Sequence, residues 1–259
     1  MAFENLRLER SPDGVATLTL DRPERKNAAD LATFDELRRA FDEVAESAED
    51  RVLVLTGAGD AFCSGADLTG MGSTQRSTLD VIRRIHAGVL ALSEIPKPTI
   101  AKVNGAAAGA GMNLALGCDL IVAARGARFS EIFTRRGLSI DYGGSWLLPR
   151  LIGLHRAKEL VLLGDFVSAE EAERIGLINR AVPDAELDAF VDAWAERLAA
   201  GPPLALSMAK RLLNAGLDAT LPQALENEAM AQAVNSGTED MREAFQAFRE
   251  KREPRFGGR

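Results

Sequence analysis

The sequence predicts an α/β fold. Three continuous apolar runs, at residues 52–56, 99–103 and 120–124, have the length and composition of buried strands. Helix-like stretches lie between them, and this alternation is typical of a sheet that crossover helices cover on both faces.

The other elements follow from local signals along the chain. Val15 to Leu20 alternates like a strand, and Asn27 can then cap an amphipathic helix. Residues 57–78 turn to small and polar side chains, which predicts a long mobile loop. Ser168 begins a capping box before another helix, and residues 178–182 form the last strand.

The end of the chain is predicted to be helical. Three helix starts follow one another, at Gly201-Pro202-Pro203, Thr220-Leu221-Pro222 and Thr238-Glu239-Asp240. We therefore expect a core at residues 1–200 and a helical region at residues 201–259.

Composition places the chain among ordinary globular proteins, with 259 residues of which 46% are hydrophobic. The formal net charge of −7 argues against a nucleic-acid or anionic-membrane surface, because both favour a basic face. No stretch approaches the roughly 18 apolar residues of a membrane span. Cys63 and Cys118 lack CxxC spacing and are typical of buried thiols in a reducing compartment, so we expect a cytoplasmic protein.

Two glycine-rich junctions point to main-chain chemistry. Residues 104–113 and 61–68 each place glycines and free amides after a buried strand. The first amides of a helix lack intrahelical acceptors and lie at the positive end of its dipole. Two such amides could stabilise developing negative charge, although two tight turns explain the glycines equally well.

Several other motifs are incomplete. Neither Gly57-Ala58-Gly59 nor Gly109-Ala110-Gly111 has the third glycine of a dinucleotide fingerprint, and the sequence contains neither a P-loop nor a GxSxG motif. The SxxK match at Ser207 lies on a predicted helix face without a KTG companion. His86 and His155, the only histidines, have no ligand-type neighbours, so we expect helix-surface histidines and no metal site.

An acid stands in the apolar, glycine-rich segment at residues 129–146. Burial makes a carboxylate hold a proton more tightly, which would make Asp141 a more effective base toward a carbon acid. A turn or cap role beside Gly143-Gly144 is the commoner use of an aspartate in such a place.

Taken together, these motifs resemble the crotonase, or enoyl-CoA hydratase/isomerase, superfamily over nearly the whole chain. The matching segments are Arg22-Pro23, Asn27-Ala28, residues 61–68, residues 97–105, Gly117-Cys118-Asp119, Gly143-Gly144 and residues 251–256. The resemblance implies a spiral of ββα turns with a C-terminal helical trimerisation region, and therefore a homotrimer or a hexamer of two trimers. It also implies an acyl-coenzyme A thioester as substrate, with no cofactor apart from the coenzyme A that the substrate carries.

The resemblance also assigns roles to residues. The amides of Ala66 and Ala110 would bind the thioester oxygen as it becomes an enolate. The other residues expected along the substrate are Lys26, Ala28, Asp67, Leu68, Phe133 and Tyr142.

Two positions depart from the family's hydratases. Where those enzymes carry two glutamates that handle water, this chain has Asn113 and Phe133, which cannot transfer that proton. Residues 109–113, 137–141 and 146–149 look more like the PaaG-like enoyl-CoA isomerases of the phenylacetate branch, in which the aspartate matching Asp141 is the acid/base.

The resemblance therefore favours an enoyl-CoA isomerase with Asp141 as its single acid/base. One alternative is an enoyl-CoA hydratase that uses Asp141 with Glu131, which lies two residues from the expected acid. The other is an acyl-CoA-binding protein without catalysis.

Overall fold

The computed structural model describes residues 3–67, 69 and 77–259. In chain order, the strands are β1 (Leu6–Arg10), β2 (Val15–Leu20), β3 (Val52–Gly57), β4 (Ala61–Cys63), β5 (Thr99–Val103), β6 (Ala106–Ala108), β7 (Leu120–Ala124), β8 (Arg128–Ser130), β9 (Val167–Ser168) and β10 (Arg180–Val182). The helices are α1 (Leu31–Glu46), α2 (Thr78–Glu94), α3 (Ala110–Leu116), α4 (Gly144–Ile152), α5 (Leu154–Leu163), α6 (Ala169–Arg174), α7 (Leu187–Ala199), α8 (Pro203–Gly216), α9 (Leu221–Ser236) and α10 (Glu239–Glu250).

The described strands form two sheets. The larger sheet has the order β1-β2-β3-β5-β7-β10, and all of its neighbours are parallel except β1 and β2. Its central strands are the apolar runs of the sequence, and every residue of β3 is buried. The predicted α/β core with buried parallel strands is therefore confirmed.

The smaller sheet has the order β4-β6-β8-β9, and its first three strands are parallel. Three strands of the larger sheet are each followed along the chain by a strand of the smaller sheet, so that β4 follows β3, β6 follows β5 and β8 follows β7. Helix α2 follows β4 and α3 follows β6, while a 3₁₀ turn at Ile132–Arg136 and then α4 follow β8. This repeat is the ββα spiral that the resemblance implies.

The predicted helix cap at Asn27 is wrong. Asp30 caps α1 instead, and its carboxylate accepts the Thr33 N–H at 2.8 Å. Asn27 has a left-handed φ of +56°, and its side-chain amide donates to the carbonyls of Ala58 at 2.9 Å and Ala61 at 2.8 Å. Asn27 therefore ties the start of the chain to the loop that leads into β4.

The three C-terminal helix starts are confirmed. Proline occupies the first turn of α8, Thr220 and Gln223 form a capping box on α9, and the Thr238 hydroxyl accepts the Met241 N–H at the start of α10. Neither α8 nor α9 has a buried residue among those described. Large apolar side chains on and between these two helices are exposed, among them Leu213, Leu217, Leu221, Leu225, Met230 and Val234. The division of the chain at residue 200 stays a prediction.

Both cysteines are free and buried, as predicted, and burial raises the pKa of the Cys63 thiol to about 11. Among the described helices, none is long and apolar enough to cross a membrane. Likewise, no cluster of three or more potential metal ligands occurs in the described ranges. Part of the loop predicted at residues 57–78 is instead β4 (Ala61–Cys63), and residues 68 and 70–76 lie outside the described residues.

The two glycine-rich segments pack closely at Gly111, which leaves no room for a side chain there. A Cβ at this position would lie 2.2 Å from the carbonyl oxygen of Cys63. Because a main-chain oxygen cannot move aside cheaply, we expect Gly111→Ala to destabilise the fold by about 1–3 kcal/mol. Urea denaturation measures the loss. Gly216→Ala is the matched control, because Gly216 ends α8 in open space, with no atom within 4 Å of an added Cβ, and should gain up to about 1 kcal/mol. Equal midpoints for the two variants would contradict this expectation.

Candidate active site

The amide of Ala110 opens helix α3. Gly109 precedes it with a φ of +52°, a backbone conformation that glycine adopts without strain. Ala110 is thus the first helical residue, and its N–H has no acceptor within the helix. A Cβ on Gly109 would lie 3.5 Å from the ring of Phe133, so this buried ring borders the junction.

The N–H of Ala66 points away from Ala29, the residue that lies opposite it. Ala66 lies opposite Ala29 in an isolated parallel bridge. The hydrogen bonds of that bridge come from the flanking residues, since Ala29 N donates to Gly65 O and Asp67 N donates to Ala29 O, each at 2.8 Å. In a parallel pairing the N–H of the residue between them faces the opposite side.

The segments that carry the two amides touch each other. Gly65 has a φ of +102°, and a Cβ there would lie 2.9 Å from the Ala108 carbonyl and 3.7 Å from the Ala110 nitrogen. Neither the Ala66 N–H nor the Ala110 N–H donates a hydrogen bond to any described residue. Within the described ranges, both amides therefore keep an unused donor.

Asp141 lies in a left-handed turn between β8 and α4. The next two residues have φ values of +54° (Tyr142) and +83° (Gly143), and the Asp141 carbonyl accepts the Gly144 N–H at 3.2 Å. The turn role that local chemistry predicted thus belongs to the main chain of Asp141. Its side chain is 30% exposed rather than buried, so the expected apolar burial of this carboxylate is wrong.

A histidine contacts Asp141 directly. His86 Nε2 lies 2.5 Å from Asp141 Oδ1. The side chain of His86 is 43% exposed on α2, so its predicted surface position is confirmed, but its carboxylate partner was missed. The two residues are 55 positions apart, and only the rarity of histidine in this chain could have drawn attention to it.

The buried acid of this region is Glu131, which has no exposed surface. Removal from water raises the pKa of its carboxyl group to about 8, although a hydrogen bond from Asn113 opposes the shift. Asn113 Nδ2 lies 3.4 Å from Glu131 Oε2. Within the described part of the chain, Glu131 Oε1 has no hydrogen-bond partner.

Asn113 links helix α3 to the Asp141 turn. Its Nδ2 donates to the Asp141 carbonyl at 2.8 Å. A Cβ on Gly144 would lie only 2.4 Å from the same nitrogen, so α4 begins in direct contact with this amide. Asn113 therefore fixes the place of Asp141 relative to the helix that Ala110 opens, a role that its sequence position did not predict.

Tyr142 lies in the core rather than over an open surface. Its side chain is 1% exposed, and its ring centroid is 5.4 Å from that of Phe34 on α1. Burial raises the pKa of its phenol, and no described residue hydrogen-bonds to its hydroxyl. The substrate contact assigned to Tyr142 by the resemblance stays a prediction.

Ala28 and Asp67, two of the residues expected along the substrate, lie on two connected loops. Arg22 donates to the Ala28 carbonyl at 2.5 Å and to the Asp67 carboxylate at 3.3 Å, so it joins the two loops. Hydrogen bonds from Thr69, with a smaller contribution from Arg22, lower the pKa of Asp67.

Lys26 and Leu68 are also expected along the substrate. Lys26 is exposed, and its ammonium group lies 2.6 Å from Asp60 Oδ1. Leu68 lies outside the described residues. The binding roles of all these residues stay predictions.

Comparison with known proteins agrees with this architecture. Residues 10–259 match the family described as enoyl-CoA hydratase/isomerase. The chain is 45% identical over 261 aligned positions to a Rhodobacter capsulatus protein named "Probable enoyl-CoA hydratase", and the alignment covers 100% of both chains. It is 40% identical to the 1,2-epoxyphenylacetyl-CoA isomerase of Escherichia coli strain K12, with 95% of this chain and 96% of that protein covered.

A solved structure shows the same fold. The crystal structure of enoyl-CoA hydratase from Bacillus anthracis superimposes with a TM-score of 0.95 at 34% identity, covering 99% of this chain and 100% of that one. The family match spans almost the whole sequence, and these relatives are enzymes by name, which argues against a binding protein without catalysis. The chain is therefore an enzyme of the enoyl-CoA hydratase/isomerase family, within the crotonase superfamily.

Proposed function

We propose that this enzyme moves a carbon–carbon double bond within an enoyl-CoA thioester, with Asp141 as the acid/base. One observation carries the proposal: Asn113, three residues into the helix that Ala110 opens, holds the Asp141 main chain at 2.8 Å. This link ties the turn that bears the carboxylate to the helix that begins with one of the two amides. Asp141 is also reachable by a ligand, whereas Glu131 has no exposed surface.

The proposed reaction needs one base. The Asp141 carboxylate takes a proton from C2 of a 3-enoyl-CoA, and the electron pair spreads through the double bond onto the thioester oxygen. The N–H groups of Ala66 and Ala110 donate hydrogen bonds to that oxygen and stabilise the dienolate. The same carboxyl group then returns the proton at C4, which leaves a 2-enoyl-CoA and restores the carboxylate.

A double-bond shift can be measured directly. Purified protein is mixed with a 3-enoyl-CoA in D₂O, and the conjugated product is followed by its ultraviolet absorbance and by mass. We expect formation of the 2-enoyl-CoA with no gain of water. Rapid addition of water to crotonyl-CoA, without any shift of a 3-enoyl bond, would contradict the proposal.

The role of the Ala110 N–H can be tested by removing it. Proline is tolerated at the first position of a helix, so Ala110→Pro removes the donor and keeps the helix start. We expect kcat to fall by about 10²–10³-fold, the usual cost of one such donor. Ala110→Gly keeps the N–H and serves as the control. An equal loss in both variants would show that the effect comes from packing.

A hydratase is the second candidate, and the burial of Glu131 favours it. A carboxyl group whose pKa is raised to about 8 can give and take a proton near neutral pH, and such groups are common in active sites. Glu131 also contacts Asn113, which stands at one of the two hydratase glutamate positions. Rapid hydration of crotonyl-CoA by the parent enzyme that is abolished in Glu131→Gln would favour this candidate.

We further propose that the enzyme is a homotrimer or a pair of trimers. The exposed apolar side chains of α8 and α9 support self-association, because a soluble monomer rarely leaves such a surface uncovered. Light scattering on the eluting protein gives the number of copies. A monomer at micromolar concentration would refute this assembly.

A further inference from the structure

Helix α2 lies directly over the turn that carries Asp141. Three pairs of neighbours connect them, namely His86 with Asp141, Gly88 with Tyr142, and Val89 with Gly143. A Cβ on Gly88 would lie 3.2 Å from the Tyr142 hydroxyl, and a Cβ on Gly143 would lie 3.2 Å from the Val89 side chain. The relative position of helix and turn is therefore tightly fixed, and His86 is the polar member of this contact.

The short distance between His86 Nε2 and Asp141 Oδ1 identifies a hydrogen bond in which one of the two atoms is the donor. At 2.5 Å, two lone pairs facing each other would repel, so one hydrogen lies between Nε2 and Oδ1. A carboxylate that acts as a base is ionised and can only accept hydrogen bonds. In the state that starts the reaction, Nε2 of His86 must therefore be the donor.

We propose that His86 is a positioning residue for the acid/base Asp141. Its Nε2–H holds Oδ1 and sets the plane of the carboxylate, which leaves Oδ2 as the oxygen that takes the proton from the substrate and returns it. The inference rests on the isomerase function proposed above and adds to it the group that orients its base. Oδ2 alone then takes the proton from C2 of the substrate and returns it at C4.

The partial exposure of His86 and Asp141 indicates that their contact orients the carboxylate more than it stabilises the fold. Both side chains are partly exposed, at 43% for His86 and 30% for Asp141, and such pairs add little to folding. Catalysis is more sensitive, because a displacement of about 1 Å in a reacting group can cost roughly 10²-fold in rate. Loss of His86 should therefore lower turnover without unfolding the protein.

Two substitutions separate orientation from other effects. His86→Ala removes the donor, whereas His86→Gln places an amide N–H at a similar reach from the backbone. We expect kcat for a 3-enoyl-CoA to fall by about 10–100-fold in His86→Ala, with KM within about 3-fold of the parent value. His86→Gln should recover most of kcat, and neither variant should shift Tm by more than about 3 °C. Full activity in His86→Ala, or an equal loss in both variants, would overturn the proposal.

A spectroscopic measurement tests the hydrogen bond independently of activity. The chain has only two histidines, so His155→Gln leaves His86 as the single imidazole, provided no histidine tag is added. His155 lies exposed on α5 and is not one of the residues assigned to the proposed site, so this variant should keep full activity. In protein labelled with ¹⁵N-histidine, we expect the Nε2 shift of a protonated nitrogen, and we expect that signal to move in Asp141→Ala.

The two measurements distinguish the possible failures. If the parent enzyme shifts no 3-enoyl bond, the isomerase function fails, while the nitrogen shift still shows whether His86 donates to Asp141. If the parent enzyme is active and His86→Ala matches it, only the positioning role is lost. An unprotonated Nε2 whose shift does not respond to Asp141→Ala would also overturn that role.

Discussion

Asp141→Asn is expected to lower the isomerase kcat by about 10²–10⁴-fold, the range that general acid–base catalysis contributes. The amide is nearly the same size as the carboxyl group and can still accept a hydrogen bond from His86 through its oxygen. It cannot take a proton from carbon. Stopped-flow measurement of the double-bond shift gives kcat, and a thermal melt confirms that the fold is kept.

The specificity of this loss needs a matched control. Asp192→Asn makes the same chemical change at an exposed position on α7 and should leave kcat unchanged. Affinity for a saturated acyl-CoA should stay within a few-fold in Asp141→Asn, because the proposed amide donors are still present. If Asp141→Asn turns over 3-enoyl-CoA at the parent rate, Asp141 is not the acid/base.

Glu131 is expected to make the folded state less stable as pH rises. Its pKa is raised from the usual 4.5 to about 8 in the folded protein, so between these values the folded state binds more protons than the unfolded state. The stabilising contribution of the protonated group is full below pH 4.5 and is lost as pH rises through about 8. The shift corresponds to an upper bound of about 5 kcal/mol.

Glu131→Gln removes this dependence because a glutamine stays neutral. We expect its unfolding free energy, measured in urea, to fall less between pH 5 and pH 9 than that of the parent protein, by several kcal/mol. Glu46→Gln, at the exposed end of α1, is the control and should follow the parent curve. Parallel curves for the parent protein and Glu131→Gln would mean that Glu131 is not a buried protonated acid.

The centre of the larger sheet could be predicted from sequence because β3, β5 and β7 are apolar runs, whereas its edge strand β1 alternates charged residues with leucines and was not predicted. The smaller sheet could not, since β4, β6 and β8 have only three residues each and no periodicity can be read from so few. The cap of α1 was misplaced because Asn27 and Asp30 are both good capping residues. Only the backbone of the preceding turn decides between them.

The candidate site, like the fold, could be predicted from sequence only in part. The glycine-rich junctions and the segment around Asp141 could be located because their residue types are unusual in a local stretch. The contact of His86 with Asp141 and the burial of Glu131 could not, because both depend on how distant segments pack. Residues 129–146 contain two acids, and local composition alone attached the expected burial to the wrong one.

Asn113 shows the consequence of an amide at a position where the family resemblance leads one to expect a glutamate in a hydratase. The amide nitrogen braces the loop bearing the proposed base, in a space too tight for any side chain on Gly144. A glutamate there would offer an oxygen to an oxygen, beside the already buried Glu131, and the brace would be lost. Exchange of Asn113 for an acid would therefore need an accompanying change in the Asp141 loop, since Asn113 also supports that loop.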